Sequence, residues 1–404
     1  MINVIGLGYI GLPTALMLAA SGNEIIGTDF NKELVDTLKM GKTTFEEKGL
    51  DELFDDALSK GIKFTNEYVS SDKYIITVPT PYDKDNKKID PSYVIKAVNS
   101  VLEVCKENTL LIIESTVSPG TIDKYVRPEI EKSNFKLGKT IHLIHAPERI
   151  LPGNMIHELK FNSRTIGADS IEQGNKVKDI YKTFCESDIA VTDIKTAEMS
   201  KVIENTYRDV NIAFANELAK ICRFDNMDVY EIIKVANMHP RVNILNPGPG
   251  VGGHCISVDP WFLVGDYPEL TNIISSARHI NDSMPDFVLK RLSEVMEENG
   301  ITDRNKVGIY GLTYKQDVDD TRESPSLQLF DSMRKHLAPP LKSYDPMIKN
   351  KIIENQIMSF DEFLEDLDLV VVMVSHSHIK ENLDKISNKI IFDTQNIIPN
   401  GIKL

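Results

Sequence analysis

Cysteine is scarce in this chain. Cys105, Cys185, Cys222 and Cys255 are its four in 404 residues, widely separated and without a C-x-x-C pair, which disfavours both a disulfide framework and a zinc site. Long apolar runs are also missing. Nothing approaches the roughly 18 residues of a membrane span, so no membrane association is expected. The apolar start MINVIGLGYIGLPTALMLAASG has no basic stretch and is broken by glycines, unlike a secretory leader, and a cytoplasmic protein is expected. Positive charge is in deficit as well: 46 Lys and Arg stand against 60 Asp and Glu, a net −14. Binding to a phosphate backbone needs clustered cations, so nucleic acid is a poor candidate partner.

What remains is the balance of a soluble globular protein, 41% hydrophobic and 26% charged, long enough for two or three domains. Short apolar runs alternate with helical segments in the first half, the pattern of β-α-β units and a parallel sheet. Ile2–Leu7, Glu24–Asp29, Tyr74–Val78, Leu110–Glu114 and Ile141–His145 read as strands. The loops after them, GYIGLP, PTPYDKDNKK, STVSPGT and APERILPG, gather at the carboxyl edge of such a sheet, where ligands bind. From about Ile194 to Asn237 the period becomes helical, with an apolar stripe at Met199, Val202, Ile203, Thr206, Val210, Ala213, Phe214, Leu218 and Ile221. A second alternating region follows, with strands at Lys306–Tyr310, Leu341–Tyr344, Leu369–Val374 and Ile390–Asp393 and a helix starting near Ser324. The architecture drawn is α/β: an N-terminal Rossmann dinucleotide-binding domain over 1–193, a central long-helix region over 194–297, and a C-terminal Rossmann-like domain over 298–404.

Gly6-Leu7-Gly8-Tyr9-Ile10-Gly11 fits G-x-G-x-x-G between an apolar strand and a helix, and Asp29 ends the next strand eighteen residues past Gly11. The glycines admit a pyrophosphate close to the backbone, the helix N-terminus stabilises its charge, and the acid accepts from ribose hydroxyls. Asp29 would repel a 2′-phosphate, which favours NAD over NADP. Lys201, Asn205 and Arg208 share one helical face by their spacing, which reads either as a solvated face or as a set of polar groups for a reacting carbon. Cys255 lies in NPGPGVGGHCISVDP. As a metal ligand it lacks partners, since the adjacent His254 cannot complete a tetrahedral set. A core thiol and a nucleophile both stay open. Gly250, Gly252 and Gly253 suit the nucleophile by leaving backbone near a ligand and amides free for an anion. The other three cysteines, in apolar helical or strand surroundings, read as small core hydrophobes.

Seven stretches in order, VIGLGYIGLP, VPTP, ESTVSPGT, APER, TAEMSKVIENTYRDVNIAFANELA, GVGGHCISVDP and GLTYKQDVDDTRESPS, resemble the nucleotide-sugar 6-dehydrogenase superfamily along essentially the whole chain. The resemblance implies oxidation of the C6 hydroxyl of a UDP-hexose to a carboxylate with two NAD. It implies Cys255 as nucleophile, Lys201 as the cation serving the thiohemiacetal and thioester, Asn205 and Asp259 positioning the reacting carbon and water, and Glu148 as base for thioester hydrolysis. Thr80, Thr116 and Arg322 would join Gly6, Gly8, Tyr9, Ile10, Gly11 and Asp29 in holding NAD, with the Arg322 fork on its pyrophosphate. Leu34 departs from the basic residue common near the adenosine. Arg149, Ile150, Leu151, Arg208, His239, Arg241, Gly252, Tyr314 and Lys315 would line the UDP-sugar site, and the C-terminal domain would bind UDP. No metal is implied, and the helical middle implies a homodimer. APERILPG and HPRVNILNPGPGVGGHCISVDPWF look like the branch acting on UDP-N-acetylmannosamine; a UDP-N-acetylglucosamine or UDP-glucose 6-dehydrogenase, and a non-catalytic NAD- or UDP-sugar-binding regulator, are the alternatives.

Overall fold

The computed structural model describes residues 1–335 and 341–404. They form two compact units, Met1–Glu204 and Asn205–Leu404. The first is built on an eight-stranded sheet of order β3-β2-β1-β4-β5-β6-β7-β8. Its strands are β1 (Ile2–Ile5), β2 (Ile25–Thr28), β3 (Lys63–Thr65), β4 (Lys73–Ile76), β5 (Thr109–Ile113), β6 (Ile141–His145), β7 (Arg164–Ala168) and β8 (Ile189–Thr192). β1 and β5 are buried along their whole length, the near-continuous apolar burial of strands covered on both faces. Leu12 and Leu16 of helix Gly11–Ala20 pack with Leu38, Phe54 and Phe64 into one core.

The expected strands are present, most of them shorter by one or two residues at the loop ends, where backbone turns away to form the ligand edge. β3, β7 and β8 were not read from the sequence. β3 is three residues long and begins with an exposed Lys63, and β7 begins with an arginine, so neither carries an apolar run. The expected all-parallel sheet is corrected as well: β7 pairs antiparallel to β6, and β8 runs parallel to β7.

The turn after β1 is tightly constrained. Gly6 has a left-handed φ of 89°, its amide donates to Thr28 O at 2.8 Å, and its carbonyl accepts from Thr77 Oγ1 at 2.6 Å. A Cβ on Gly11 would overlap both that carbonyl and the Thr77 hydroxyl, whereas a Cβ on Gly8 would meet nothing within 4 Å.

The second unit has a five-stranded parallel sheet of order β10-β9-β11-β12-β13, from β9 (Val307–Tyr310), β10 (Lys342–Tyr344), β11 (Leu369–Val372), β12 (Ile390–Asp393) and the unanticipated two-residue β13 (Ile402–Lys403). The helix expected near Ser324 is Pro325–Lys335. The long helix is Ile194–Phe224, not a spine to Asn237. Asn226 in the left-handed region at φ 54° ends it, and the Asp228 carboxylate, accepting from Tyr230 N and Glu231 N, caps a separate helix, Val229–Ala236. The expected apolar stripe of the long helix is only partly covered, with Val202, Thr206 and Ala213 buried. Glu198, Asn205, Asp209 and Asn216 are buried, while Ile203, Phe214 and Ile221 are half exposed and Tyr207 and Phe224 more so. Among the described residues no helix is long and apolar enough to cross a membrane.

Two charges lie deep in the first unit. Glu114 follows β5 and Arg164 opens β7; both are buried and their carboxylate and guanidinium meet at 3.2 Å. The Arg164 guanidinium also stacks over the Tyr181 ring, 4.4 Å from its centroid. Burial pushes the Glu114 carboxyl up to about 8, outweighing the opposing pull of Arg164.

Gly11→Ala is expected to destabilise the protein by about 1–3 kcal/mol because the Gly6 backbone and the hydrogen-bonded Thr77 hydroxyl cannot yield, and Gly8→Ala to leave stability unchanged; denaturant midpoints of the two variants check this. Glu114 titrates higher folded than unfolded, so the stability it contributes is complete below its ordinary value of 4.5 and lost as pH rises toward about 8. Glu114→Gln is therefore expected to gain on the parent progressively across that window, by on the order of a few kcal/mol at its upper end. Melting temperatures between pH 5 and pH 9 measure the gap, and a gap that stays constant contradicts the assignment.

Candidate active site

At the carboxyl edge of the first sheet the order β2-β1-β4 places a topological switch point between β1 and β4, where an open α/β sheet binds its ligand. Asp29, just past β2, accepts from Leu7 N through Oδ2 at 2.7 Å and from Asn31 N through Oδ1 at 2.8 Å. The carboxylate thus fixes the glycine turn, and each oxygen retains a lone pair for a hydroxyl donor. The helix after Gly8, Tyr9 and Ile10 has no side-chain cap on its N-terminus. Tyr9 leans on Phe45, ring centroids 4.5 Å apart. Thr80 and Thr116, beyond β4 and β5, come together: Thr80 Oγ1 donates to Thr116 O at 2.7 Å.

The loop after β6 carries the APER motif. Glu148 is buried, with Oε1 accepting from Arg149 N at 2.6 Å and Oε2 paired with Arg164 Nη2, so one guanidinium serves both Glu148 and Glu114. Arg149 spends its own guanidinium on the scaffold, donating to Ser163 O at 2.8 Å and Thr165 Oγ1 at 2.8 Å and pairing with Glu204 at 2.7 Å. Ile150 is buried, and Leu151 N donates to Glu158 Oε2 at 2.8 Å. Lys201, on the long helix, is buried. One turn before it, Glu198 accepts from Gly120 N at 2.6 Å and Ile122 N at 2.9 Å, which anchors the ESTVSPGT loop. Burial pushes the Glu198 carboxyl up to about 7 despite those amides.

In the second unit Asn205 and Asp259 meet. Asn205 Nδ2 donates to Asp259 Oδ2 at 2.6 Å, with both side chains buried. Asp259 opens helix Asp259–Asp266, and the turn before it is Cys255–Val258, whose Cys255 carbonyl accepts from Val258 N at 3.1 Å and Asp259 N at 2.8 Å. Cys255 is half-buried at the head of this turn. The upstream loop is moored where Gly248 N donates to Asn216 Oδ1 at 2.9 Å. The reading of free glycine amides is corrected at Gly253, whose N donates to Arg322 O at 2.9 Å. A Cβ on Gly252 would lie 2.6 Å from Tyr314 Cβ, and one on Gly253 2.8 Å from Tyr314 Cε2, so these glycines make room for Tyr314.

Tyr314, Lys315 and Arg322 lie on the loop after β9. The Arg322 fork, expected on a pyrophosphate, is held by Asp320 at 2.9 Å through Nε and 2.6 Å through Nη2. Those bonds outweigh burial and keep the Asp320 carboxyl below its usual range. Arg208, His239 and Arg241 are exposed, and Arg241 N donates to His239 Nδ1 at 3.3 Å.

The sequence reading missed Glu114, Arg164, Glu198 and the buried His376. Glu114 left a trace as a charge closing the apolar run of β5, but its pairing with Arg164 across 50 residues did not. Of the other cysteines, Cys185 and Cys222 are buried as expected, whereas Cys105 is half-buried at the C-terminal end of helix Ser92–Val104. Among the described residues no group of three or more His, Cys, Asp and Glu is placed to hold a metal ion.

Residues 1–185 match the NAD binding domain of the UDP-glucose/GDP-mannose dehydrogenase family, 195–283 its central domain, and 308–400 its UDP binding domain. A UDP-N-acetyl-D-mannosamine dehydrogenase of Methanococcus vannielii is 44% identical over 99% of this chain and 93% of that protein. The structure of a UDP-N-acetyl-mannosamine dehydrogenase from Staphylococcus aureus is 41% identical with a TM-score of 0.88, covering 99% of this chain and 96% of that one. One from Pyrococcus horikoshii is 37% identical with a TM-score of 0.92, covering 100% and 98%. The chain belongs to the UDP-glucose/GDP-mannose dehydrogenase family and is an NAD-dependent nucleotide-sugar dehydrogenase.

Proposed function

We propose that this chain oxidises UDP-N-acetyl-D-mannosamine at C6 to UDP-N-acetyl-D-mannosaminuronate, consuming two NAD and one water per sugar. The sugar assignment is drawn from the relatives that carry this activity in their names. The chemistry rests on one observation above the others, the Asn205–Asp259 hydrogen bond that fixes the turn of Cys255.

The residues of the glycine turn fit a dinucleotide. The position of Gly8 leaves open space where a side chain would stand, the helix behind it has an uncapped N-terminus, and Asp29 can accept from ribose hydroxyls. Thr80, Thr116 and Arg322 complete the proposed set. The nicotinamide ring, when bound, supplies the hydride acceptor for both oxidations. In the first, the C6 alcohol loses a hydride and a proton and becomes an aldehyde. The Cys255 thiolate adds to that carbon and forms a C–S bond. Lys201 stabilises the oxyanion of the adduct, and loss of its C–H as hydride leaves a thioester. Water positioned by Asn205 and Asp259 gives its proton to Glu148 and attacks the thioester carbon; the C–S bond breaks, freeing Cys255 and the carboxylate. Arg149, Ile150, Leu151, Arg208, His239, Arg241, Gly252, Tyr314 and Lys315 are proposed to hold the UDP-sugar.

The functional division is read as NAD binding over 1–193, the dimerising and cysteine-loop region over 194–297, and UDP-sugar binding over 298–404. On the long helix, residues 203, 207, 210, 214, 217, 221 and 224 recur at alternating intervals of four and three, the spacing of a coiled-coil seam. Ile203, Tyr207, Phe214, Ile221 and Phe224 in that series are exposed large apolar side chains, and a second copy of the chain is proposed to cover them. Its substrates are those of cytoplasmic metabolism, and we place the enzyme there.

With a panel of UDP-sugars and NADH absorbance, UDP-N-acetylmannosamine is expected to turn over fastest, with two NADH per sugar and no uronate from Cys255→Ala. Faster turnover of UDP-glucose overturns the sugar assignment; one NADH with free aldehyde overturns the four-electron chemistry. By sedimentation, the parent is expected as a dimer and Phe214→Glu as a folded monomer. An unchanged mass for the variant removes the seam from the interface.

A further inference from the structure

The order β10-β9-β11 puts the switch point of the second sheet between β9 and β11, and the fully buried His376 lies just beyond the end of β11. Its two ring nitrogens grip opposite ends of one short arc. Nδ1 accepts from Asp317 N at 2.9 Å, which puts the ring proton on Nε2. Nε2 lies 3.2 Å from both Asp345 Oδ2 and Thr313 Oγ1. Asp345 holds the start of the arc, accepting from Leu312 N at 2.6 Å and Thr313 N at 3.0 Å. The far end is a turn that resists forming: Asp317 stands in the left-handed region at φ 55°, a conformation that costs a non-glycine residue energy and persists only where the surroundings impose it. Ser377, next to His376, helps impose it, donating to the Asp317 carboxylate from N at 2.9 Å and from Oγ at 2.6 Å.

Between those pins sit Tyr314 and Lys315. Tyr314 packs on Gly252 and Gly253 so closely that neither could bear a Cβ, and those glycines immediately precede His254 and Cys255. A short path therefore runs from His376 to Asp317, along the backbone of residues 314–317 to Tyr314, and on to the cysteine loop.

We propose that His376 is a positioning residue, acting through the Asp317 turn and Tyr314 to set both the UDP-sugar contacts of the 313–317 arc and the presentation of Cys255. This rests on the proposed role of Cys255 and of the arc in substrate binding. It assigns the critical work to the Nδ1 acceptor, which binds the strained turn, and a lesser share to Nε2–H, since Asp345 already holds the arc through two amides.

Three substitutions separate these arms. His376→Asn keeps an acceptor near the Nδ1 position, His376→Gln keeps a donor near Nε2 but loses that acceptor, and His376→Leu keeps only bulk. Two readouts are taken on each folded variant: the KM for the UDP-sugar beside the Kd for NAD, and the rate at which iodoacetamide alkylates Cys255, followed on its own peptide by mass spectrometry. Loss of the strained turn is expected to raise the sugar KM about tenfold in His376→Gln and His376→Leu and to change the alkylation rate at least about fivefold, the scale of one lost buried hydrogen bond. His376→Asn is expected to stay within about threefold of the parent on both, and NAD affinity to move less than that in all three. Asn behaving like Leu, or Gln behaving like the parent, overturns the proposal. A parent with no turnover on any UDP-sugar would refute the proposed function instead, and the alkylation ordering, which needs no substrate, would still decide the role of His376.

Discussion

Both sheets of this protein depend on one device: a carboxylate at the end of the second strand that accepts the amide two residues beyond the end of the first. Asp29 does this for Leu7 at 2.7 Å and Asp345 for Leu312 at 2.6 Å. The correspondence extends to the preceding glycines, Gly6 at φ 89° and Gly311 at φ 92°, and to their amides, each donating at 2.8 Å to the last residue of the neighbouring strand, Thr28 and Tyr344. A buried carboxylate is costly unless it is hydrogen-bonded, and backbone amides at a turn need acceptors, so each satisfies the other. The residues after the shared turn decide its use. In the first unit Gly8 leaves an open cradle against a helix N-terminus. In the second, Thr313 stands at the equivalent place with its hydroxyl at His376, and the chain continues into a long loop before its helix at Pro325. The same frame thus leaves open backbone in one unit and presents side chains in the other.

The long helix shows the converse economy. A helix of a monomeric protein turns its apolar stripe inward. Here the inward residues include Glu198, Asn205, Asp209 and Asn216, each bound to something that must be placed: the ESTVSPGT loop, Asp259, Arg278 with Asn281, and the loop at Gly248. Burying so many polar groups is tolerated because each has a partner. The exposed apolar side chains Ile203, Tyr207, Phe214, Ile221 and Phe224 are those the proposed seam uses, so the proposed assembly and the buried polar contacts draw on different residues of one element.

Much of this was legible in the residues, and the failures have physical causes. Strands buried on both faces announce themselves as apolar runs, so β1, β5 and β6 were found nearly to the residue. β3 and β13 are too short to show a period, and β7 hides behind the charge of Arg164. Local motifs carried their own meaning, since G-x-G-x-x-G and the cysteine loop are contiguous. Polar pairs between distant segments were not legible: nothing in the string joins Glu114 to Arg164 or Asp317 to His376, because such pairing is decided by strand order. The break at Asn226 was missed for the opposite reason, that apolar spacing continues through it while the backbone does not.

The glycines of NPGPGVGGHCISVDP illustrate how a correct motif can be right for another reason. Glycine beside a reactive cysteine suggests amides bared to an anion, but Gly253 N is already donating to Arg322 O, and a Cβ on Gly252 would press on Tyr314 and on Glu323 O at 2.7 Å. Their missing side chains are spent on close packing with the loop after β9. That packing ties the loop after β9 to the turn that carries Cys255. With Tyr314 packed this closely, the backbone at Gly252 and Gly253 and the loop after β9 constrain each other. Under the proposed chemistry a looser pair of loops would both weaken the grip on the sugar and let the thiol wander from the carbon it is proposed to hold between the two oxidations, and misplacement of a reacting group by about 1 Å costs on the order of a hundredfold in rate.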